Sequence, residues 1–108
     1  GKKFFYYLWK NDLCCEEYPC RPRRNDRFRI DLFNFTKKIA VEFHGDQHVK
    51  EVKHYHRDED DFWKGVERDE LKRQWCEVNK IQLIEIYQKN MPITIEWLAE
   101  KYPKILWK

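Results

Sequence analysis

The sequence predicts an α/β fold, a small mixed β-sheet flanked by helices, on three observations. RFRIDLF (27–33) and KIAVEFH (38–44) alternate apolar and polar residues with period two, the pattern of half-buried strands. FWKGVERDELKRQWCEVNK (62–80) has the composition and period of a helix. IQLIEIY (81–87), rich in β-branched residues, reads as the strand to which that helix crosses over. The hairpin at 27–44 makes part of the sheet antiparallel.

The elements follow in order. FFYYLWK (4–10) is apolar and aromatic on all sides, which predicts a first, deeply packed helix. In LCCEEYPCRPRR (13–24), Pro19 and Pro22 confine any strand to a sheet edge. In the first hairpin strand Phe28, Ile30 and Leu32 point one way, and Arg29, Asp31 and Phe33 the other. NFTKK (34–38) is a polar connection. In the second strand Ile39, Val41 and Phe43 share one face, and Ala40, Glu42 and His44 the opposite one. Paired strands then bring Asp31 onto the face of Glu42 and His44. Gly45 permits a sharp exit, and residues 46–61 read as a polar, acidic loop. On the 62–80 helix, Phe62, Val66, Asp69 and Cys76 form one stripe, while Leu71, Trp75 and Val78 form another roughly opposite. Periodicity does not say which meets the sheet. Pro92 stands near the start of a closing helix, ITIEWLAEKY (93–102). The expected order is α–β–β–α–β–α.

At 108 residues the chain supports one core and reads as one domain (1–108), either complete or cut from a longer protein. Five Trp, six Tyr and seven Phe argue against disorder. No apolar run approaches the ~18 residues of a membrane span, and no signal-peptide pattern is present, so a cytoplasmic setting without membrane contact is expected. The net charge of +3 says little, but RPRRNDRFR (21–29) concentrates Arg21, Arg23, Arg24, Arg27 and Arg29 before a strand. That stretch suits phosphates, with solvated loop charge as the plain alternative. Cys14, Cys15, Cys20 and Cys76 lack the spacing of a zinc site and read as free thiols in a reducing compartment.

Asp31, Glu42 and His44 carry the chemistry. Two carboxylates on one strand face are costly unless protonated, paired with cations or bound to metal. Their hard oxygens suit Mg²⁺, and a neutral imidazole beside them can take a proton from water near pH 7. The set fits metal-assisted phosphodiester hydrolysis; charges alternating on a solvated face are the other explanation. Asp69, amid an apolar helical stripe, needs a partner of its own. His48 follows His44 by four residues and suits a phosphate or leaving group, or a surface loop; His54 and His56 read as loop.

Asp31 followed after ten residues by Glu42-Phe43-His44 resembles the PD-(D/E)xK nuclease core, with His44 in the Lys position. The longer pattern, IAVEFHG with His48, FW (62–63), VERD (66–69) and LIEI (83–86), is similar to the very-short-patch-repair endonucleases. Related catalytic domains of phage-type homing endonucleases carry the signature Glu, Asp, any residue, His, Asp. The resemblance covers residues 27–86. It implies a restriction-endonuclease-like core and a Mg²⁺-dependent DNA endonuclease, with Mn²⁺ able to substitute. Asp31 would be the primary metal ligand, with the Phe43 carbonyl and Glu42. His44 would be the general base, Asp69 would orient it or a water, and His48 would assist. Glu17, or Glu16, would be the first acid of the signature. The five arginines would hold the backbone of double-stranded DNA, and specificity would come from a homodimer or a partner DNA-binding domain. Asp46-Gln47 stands where the repair enzymes carry a zinc-site cysteine, so structural zinc is not expected. That favours a homing-endonuclease domain over a mismatch-repair nicking enzyme or a non-catalytic DNA-binding module of the same fold.

Overall fold

The computed structural model describes residues 2–44, 59–105 and 107. Its elements are α1 (Lys2–Leu8), β1 (Cys14–Cys20), β2 (Phe28–Asn34), β3 (Ile39–His44), α2 (Glu59–Val78), β4 (Gln82–Tyr87), a 3₁₀ turn at Gln88–Asn90 and α3 (Ile95–Lys101). The strands lie in the order β1-β2-β3-β4. The first three pair antiparallel and β4 joins β3 in parallel. The chain is therefore a mixed α/β fold, with a four-stranded mixed sheet and three α-helices among the described residues.

The sheet has one strand more than the sequence led us to expect. Cys14–Cys20 pairs with β2 along its length, and Pro19 lies opposite Arg29. Because β1 is the edge strand, Pro19 gives up no bond to a further neighbour. Helix α2 begins at Glu59, three residues before the expected start. Helix α1 begins at Lys2, and it packs on one side only: Phe5, and Trp9 just past the helix end, are buried while Tyr7 is 80% exposed. Pro92 precedes α3 rather than opening it; the helix is capped by Thr94, whose hydroxyl accepts the Trp97 N–H at 3.1 Å.

One face of the sheet is apolar. Ile39, Val41, Ile84 and Ile86 pack there with Phe5 and Trp9, with Leu98 from α3, and with Ile93 and Ile105 flanking that helix. The opposite face carries Ala40 and partly buried Leu83, and Cys76 of α2 packs against it. Strict alternation along β2 fails. Leu32 belongs to the apolar-face cluster, yet Ile30 packs with Phe33 on the other side. The same exchange occurs on β1, where Cys14 packs with the first cluster and Tyr18 and Cys20 with the second. The change falls between Leu32 and Ile30, at Asp31. On β1 it falls at Glu17, whose φ of 52° breaks the extended backbone.

Strand directions put the carboxyl ends of β1, β3 and β4 and the amino end of β2 at one end of the sheet. The 21–27 connection turns at that end, and β3 ends there at His44. His48, Gly45, Asp46, Gln47, His54 and His56 lie outside the described residues. No helix among the described residues is long and apolar enough to cross a membrane.

Candidate active site

The site begins where β2 and β3 part. Backbone pairing between them runs Asn34–Ile39, Phe33–Ala40 and Leu32–Val41, and stops before Asp31. Past that point side chains bond the freed amides. The Asp31 N–H donates to Glu42 Oε2 at 3.3 Å, and the Phe43 N–H donates to Asp31 Oδ2 at 2.9 Å. Each carboxylate thus replaces a ladder bond, which is how the chain places two acids inside a sheet without orphaned amides. An extended residue aims its N–H and C=O toward the same neighbour, so the Phe43 carbonyl also faces β2.

Glu42 is buried, 6% exposed. Burial, assisted by the Asp31 carboxylate, pushes its pKa up to about 7 against the pull of Lys72. Lys72 of α2 donates to Glu42 Oε1 at 2.6 Å. On the next strand Glu85 stands in register with Glu42. Arg73 grips it with Nε at 3.0 Å and Nη2 at 2.9 Å. Consecutive helix residues therefore neutralise acids on adjacent strands. The same Glu85 carboxylate lies 3.1 Å from His44 Nε2. That bond raises the His44 pKa against the effect of burial, with the Asp69 charge adding to the rise. The bond to His44, with Arg73 reinforcing it, holds Glu85 down to about 2. The His44 ring stacks on Tyr87 at 4.8 Å between centroids.

A pocket of about 450 Å³ opens beside these groups, lined by Lys2, Asp31, Phe43, His44, Ile86, Tyr87, Gln88 and Met91. Asp31 and His44 share it; Glu42 sits behind them. Lys2 donates to Glu16 Oε1 at 2.9 Å, and Tyr6 donates its hydroxyl to the same carboxylate. The Lys2 pKa is raised first by that bond, with Asp31 and Glu17 contributing at longer range. Of the two candidates for the first acid, Glu16 is therefore linked through Lys2 to the pocket. Glu17 is exposed, and its carbonyl faces Arg29 Nη1 at 3.5 Å.

Asp69 sits on the sheet side of α2, its side chain 27% exposed, with Arg68 Nε at 3.4 Å. It reaches His44 through charge; the carboxylate that accepts a hydrogen bond from the imidazole is Glu85. The other members of its expected stripe divide: Cys76 is buried, but Phe62 and Val66 are exposed. Leu71 and Trp75 of the second stripe are partly covered and Val78 is 79% exposed. Neither stripe alone is the packed face, because the helix meets the sheet through Lys72, Arg73, Trp75 and Cys76. All four cysteines are free, and burial pushes Cys20 up to about 11 and Cys76 to about 12.

Arg21, Arg23, Arg24, Arg27 and Arg29 are all exposed at the site's end of the sheet. Arg23 is held by Asp26 at 3.0 Å and approaches Glu67 at 3.8 Å. Arg27 donates to the Asp26 carbonyl. Arg21 and Arg24 have no ion pair among the described residues.

Among the described residues no three His, Cys, Asp or Glu side chains converge as a ready metal cluster. The available oxygens are Asp31 Oδ1, which accepts no hydrogen bond among the described residues, and the Phe43 carbonyl; Glu42 is engaged by Lys72. One carboxylate, one carbonyl and several waters still suit Mg²⁺, which keeps much of its hydration shell and binds through few protein ligands.

Glu85, Lys72, Arg73 and Lys2 escaped the sequence reading. A signal for Glu85 was present: Val41-Glu42-Phe43-His44 and Ile84-Glu85-Ile86-Tyr87 share the pattern apolar, Glu, apolar, aromatic, and they pair residue by residue.

No protein-family model matches the chain, and no solved structure matches it. Uncharacterized protein 307L of Invertebrate iridescent virus 6 is 39% identical over 62 residues, covering 57% of this chain and 32% of that protein. Uncharacterized protein 033L of Invertebrate iridescent virus 3 is 37% identical over 65 residues, covering 60% and 34% respectively. The chain spans about a third of the length of the curated relatives it matches.

Proposed function

We propose that the chain is a Mg²⁺-dependent DNA endonuclease domain with a restriction-endonuclease-like core, acting as the catalytic domain of a homing-type enzyme. One observation carries the reading: Asp31 and the His44 imidazole line one pocket, backed by Glu42, at the end of the sheet that bears the exposed arginines.

Asp31 and the Phe43 carbonyl would hold the ion, with Glu42 able to join if Lys72 releases it. The ion, or Mn²⁺ in its place, would supply Lewis-acid polarisation of a phosphate oxygen and charge neutralisation. His44 would accept the proton of the attacking water, its ring held by Glu85 and Tyr87. Asp69 would favour the protonated imidazole through its charge. Lys72 would stabilise negative charge beside Glu42. Arg21, Arg24 and their neighbours would position the duplex backbone without reading its sequence. His48 keeps its proposed accessory role. Recognition would reside in a partner domain or a second copy. Four free thiols accord with a reducing cytoplasm.

The test is nicking of supercoiled plasmid by residues 1–108 with Mg²⁺ or Mn²⁺. Asp31→Ala and His44→Ala are each expected to lower the rate at least a thousand-fold, about 4 kcal/mol in the barrier, while circular dichroism stays unchanged. Full activity in Asp31→Ala would remove the mechanism. DNA binding without cleavage in the parent protein would instead favour the non-catalytic module.

A further inference from the structure

We propose that Glu85, clamped by Arg73, is the positioning residue that fixes the orientation and tautomer of His44. It acts from the strand beside the histidine rather than from the helix that carries Asp69. The catalytic consequence rests on the hydrolytic reading above; the positioning itself does not.

Three contacts remove the ring's freedom. Glu85 Oε1 lies 3.1 Å from Nε2. Arg73 holds that carboxylate through two parallel bonds, at 3.0 and 2.9 Å, and a planar fork of this kind leaves the acceptor one orientation. Tyr87, the in-register neighbour of His44, covers the ring face at an interplanar angle of 25°. The edge and the face of the imidazole are thus both occupied.

An ionised carboxylate only accepts hydrogen bonds, so Nε2 carries the proton in the neutral ring. That leaves Nδ1 as the nitrogen with a lone pair for a proton from the pocket that His44 lines. Asp69 cannot set this choice by hydrogen bonding, because its nearest partner is Arg68. Glu85 does more than neutralise Arg73. A surface ion pair would leave the histidine free to turn, whereas here the same oxygen serves both partners.

Nitrogen-15 NMR of residues 1–108, labelled on histidine and recorded with the ring neutral, reads the positioning directly. The parent is expected to show His44 as the Nε2–H tautomer, with a slowly exchanging Nε2–H proton. Glu85→Gln keeps the side-chain shape and is expected to lose that slow exchange. Arg73→Lys keeps the charge without the fork and is expected to fall between. In the cleavage assay Glu85→Gln should lower kcat ten- to a hundred-fold and leave KM for DNA unchanged. An Nδ1–H tautomer in the parent, or an unaltered Nε2–H signal in Glu85→Gln, would overturn the assignment. So would a loss confined to KM. If the parent cleaves no DNA under any condition, the nuclease reading fails, and the NMR result alone decides for or against the positioning role.

Discussion

The two faces of this sheet are built on different principles. Under α1 and α3, Phe5, Leu32, Val41, Ile84 and Leu98 are wholly buried and bring no charge with them. Under α2, the contact grades from Cys76 and Trp75, through Lys72 and Arg73, to Asp69, and ends in the exposed Phe62 and Trp63. Burial of apolar side chains stabilises by about 1.5–3 kcal/mol each. Burial of an ion pair recovers its desolvation cost only with good geometry, and an apolar replacement is often as stable. A chain selected for stability alone would have no use for Glu42, Lys72, Glu85 and Arg73 between a helix and a sheet. They stand close to the pocket at the end of the sheet, and under the proposed function that is the reason for a charged face there.

The sharpest way to break that contrast is to damage each face equally. Ile84→Ala deletes three buried carbons from the apolar cluster and is expected to cost about 3–4 kcal/mol in urea unfolding. Replacing Glu42 and Lys72 together, as Glu42→Gln with Lys72→Met, removes both charges at once and keeps an oxygen to accept the Asp31 N–H. It should leave stability within about 1 kcal/mol of the parent or raise it. If the double variant loses as much as Ile84→Ala, the charged face is structural, and the division of labour between faces is mistaken.

A smaller effect sharpens the comparison through pH. Glu85 is held at about 2 by His44 and Arg73, below the ordinary 4.5. Its contribution is full above 4.5 and is lost as the pH falls toward about 2. His44 is raised above the ordinary 6.5, so its contribution is full below 6.5 and is lost as the pH rises through its higher value. Stability should therefore be greatest between these limits. Unfolding free energies measured from pH 2.5 to 6 should fall on the acid side by on the order of 2 kcal/mol through this group. Glu85→Gln should flatten that limb. The same acid slope in both proteins would mean that the network carries no net electrostatic stability.

How far the sequence could be read follows the same division. Strands β2 and β3 and the convergence of Asp31 with Glu42 were legible because period-two alternation is a local property. So was the edge status of the Pro19 segment, although not that it forms a strand. The switch of face at Asp31 and Glu17 was not, because it depends on one residue leaving extended geometry while its neighbours keep it. Glu85, Lys72 and Arg73 gain their meaning only when β4 lies parallel to β3 and α2 is rotated to a particular angle. A helix whose packed face mixes Cys76 and Trp75 with Lys72 and Arg73 presents no continuous apolar stripe, and each stripe read along 62–80 therefore captured only part of it. The buried partner of a charge is a tertiary fact, and periodicity alone does not carry it.

The smallest expected effect, which applies if the chain binds DNA as proposed, separates the arginine-bearing end of the sheet from its opposite end. Arg21 and Arg24 turn at the carboxyl end of β1, exposed and with no ion pair among the described residues, whereas Arg23 is already committed to Asp26. Each arginine that neutralises a phosphate should contribute about 0.9 to the slope of log affinity against log salt. Arg21→Ala and Arg24→Ala should each lower the slope by about that amount, with affinity falling only a few-fold. Arg23→Ala should change the slope less and stability more, since it also breaks the turn closed by Asp26. The control comes from the far end, where Lys80 stands just before β4 with a φ of 59°. Lys80→Asn removes a charge while asparagine tolerates that backbone conformation, and it should leave the slope unchanged. Equal losses at Arg21 and Lys80 would mean that the duplex is held by diffuse charge over the whole surface. The pocket at His44 would then have no privileged access to the phosphodiester backbone.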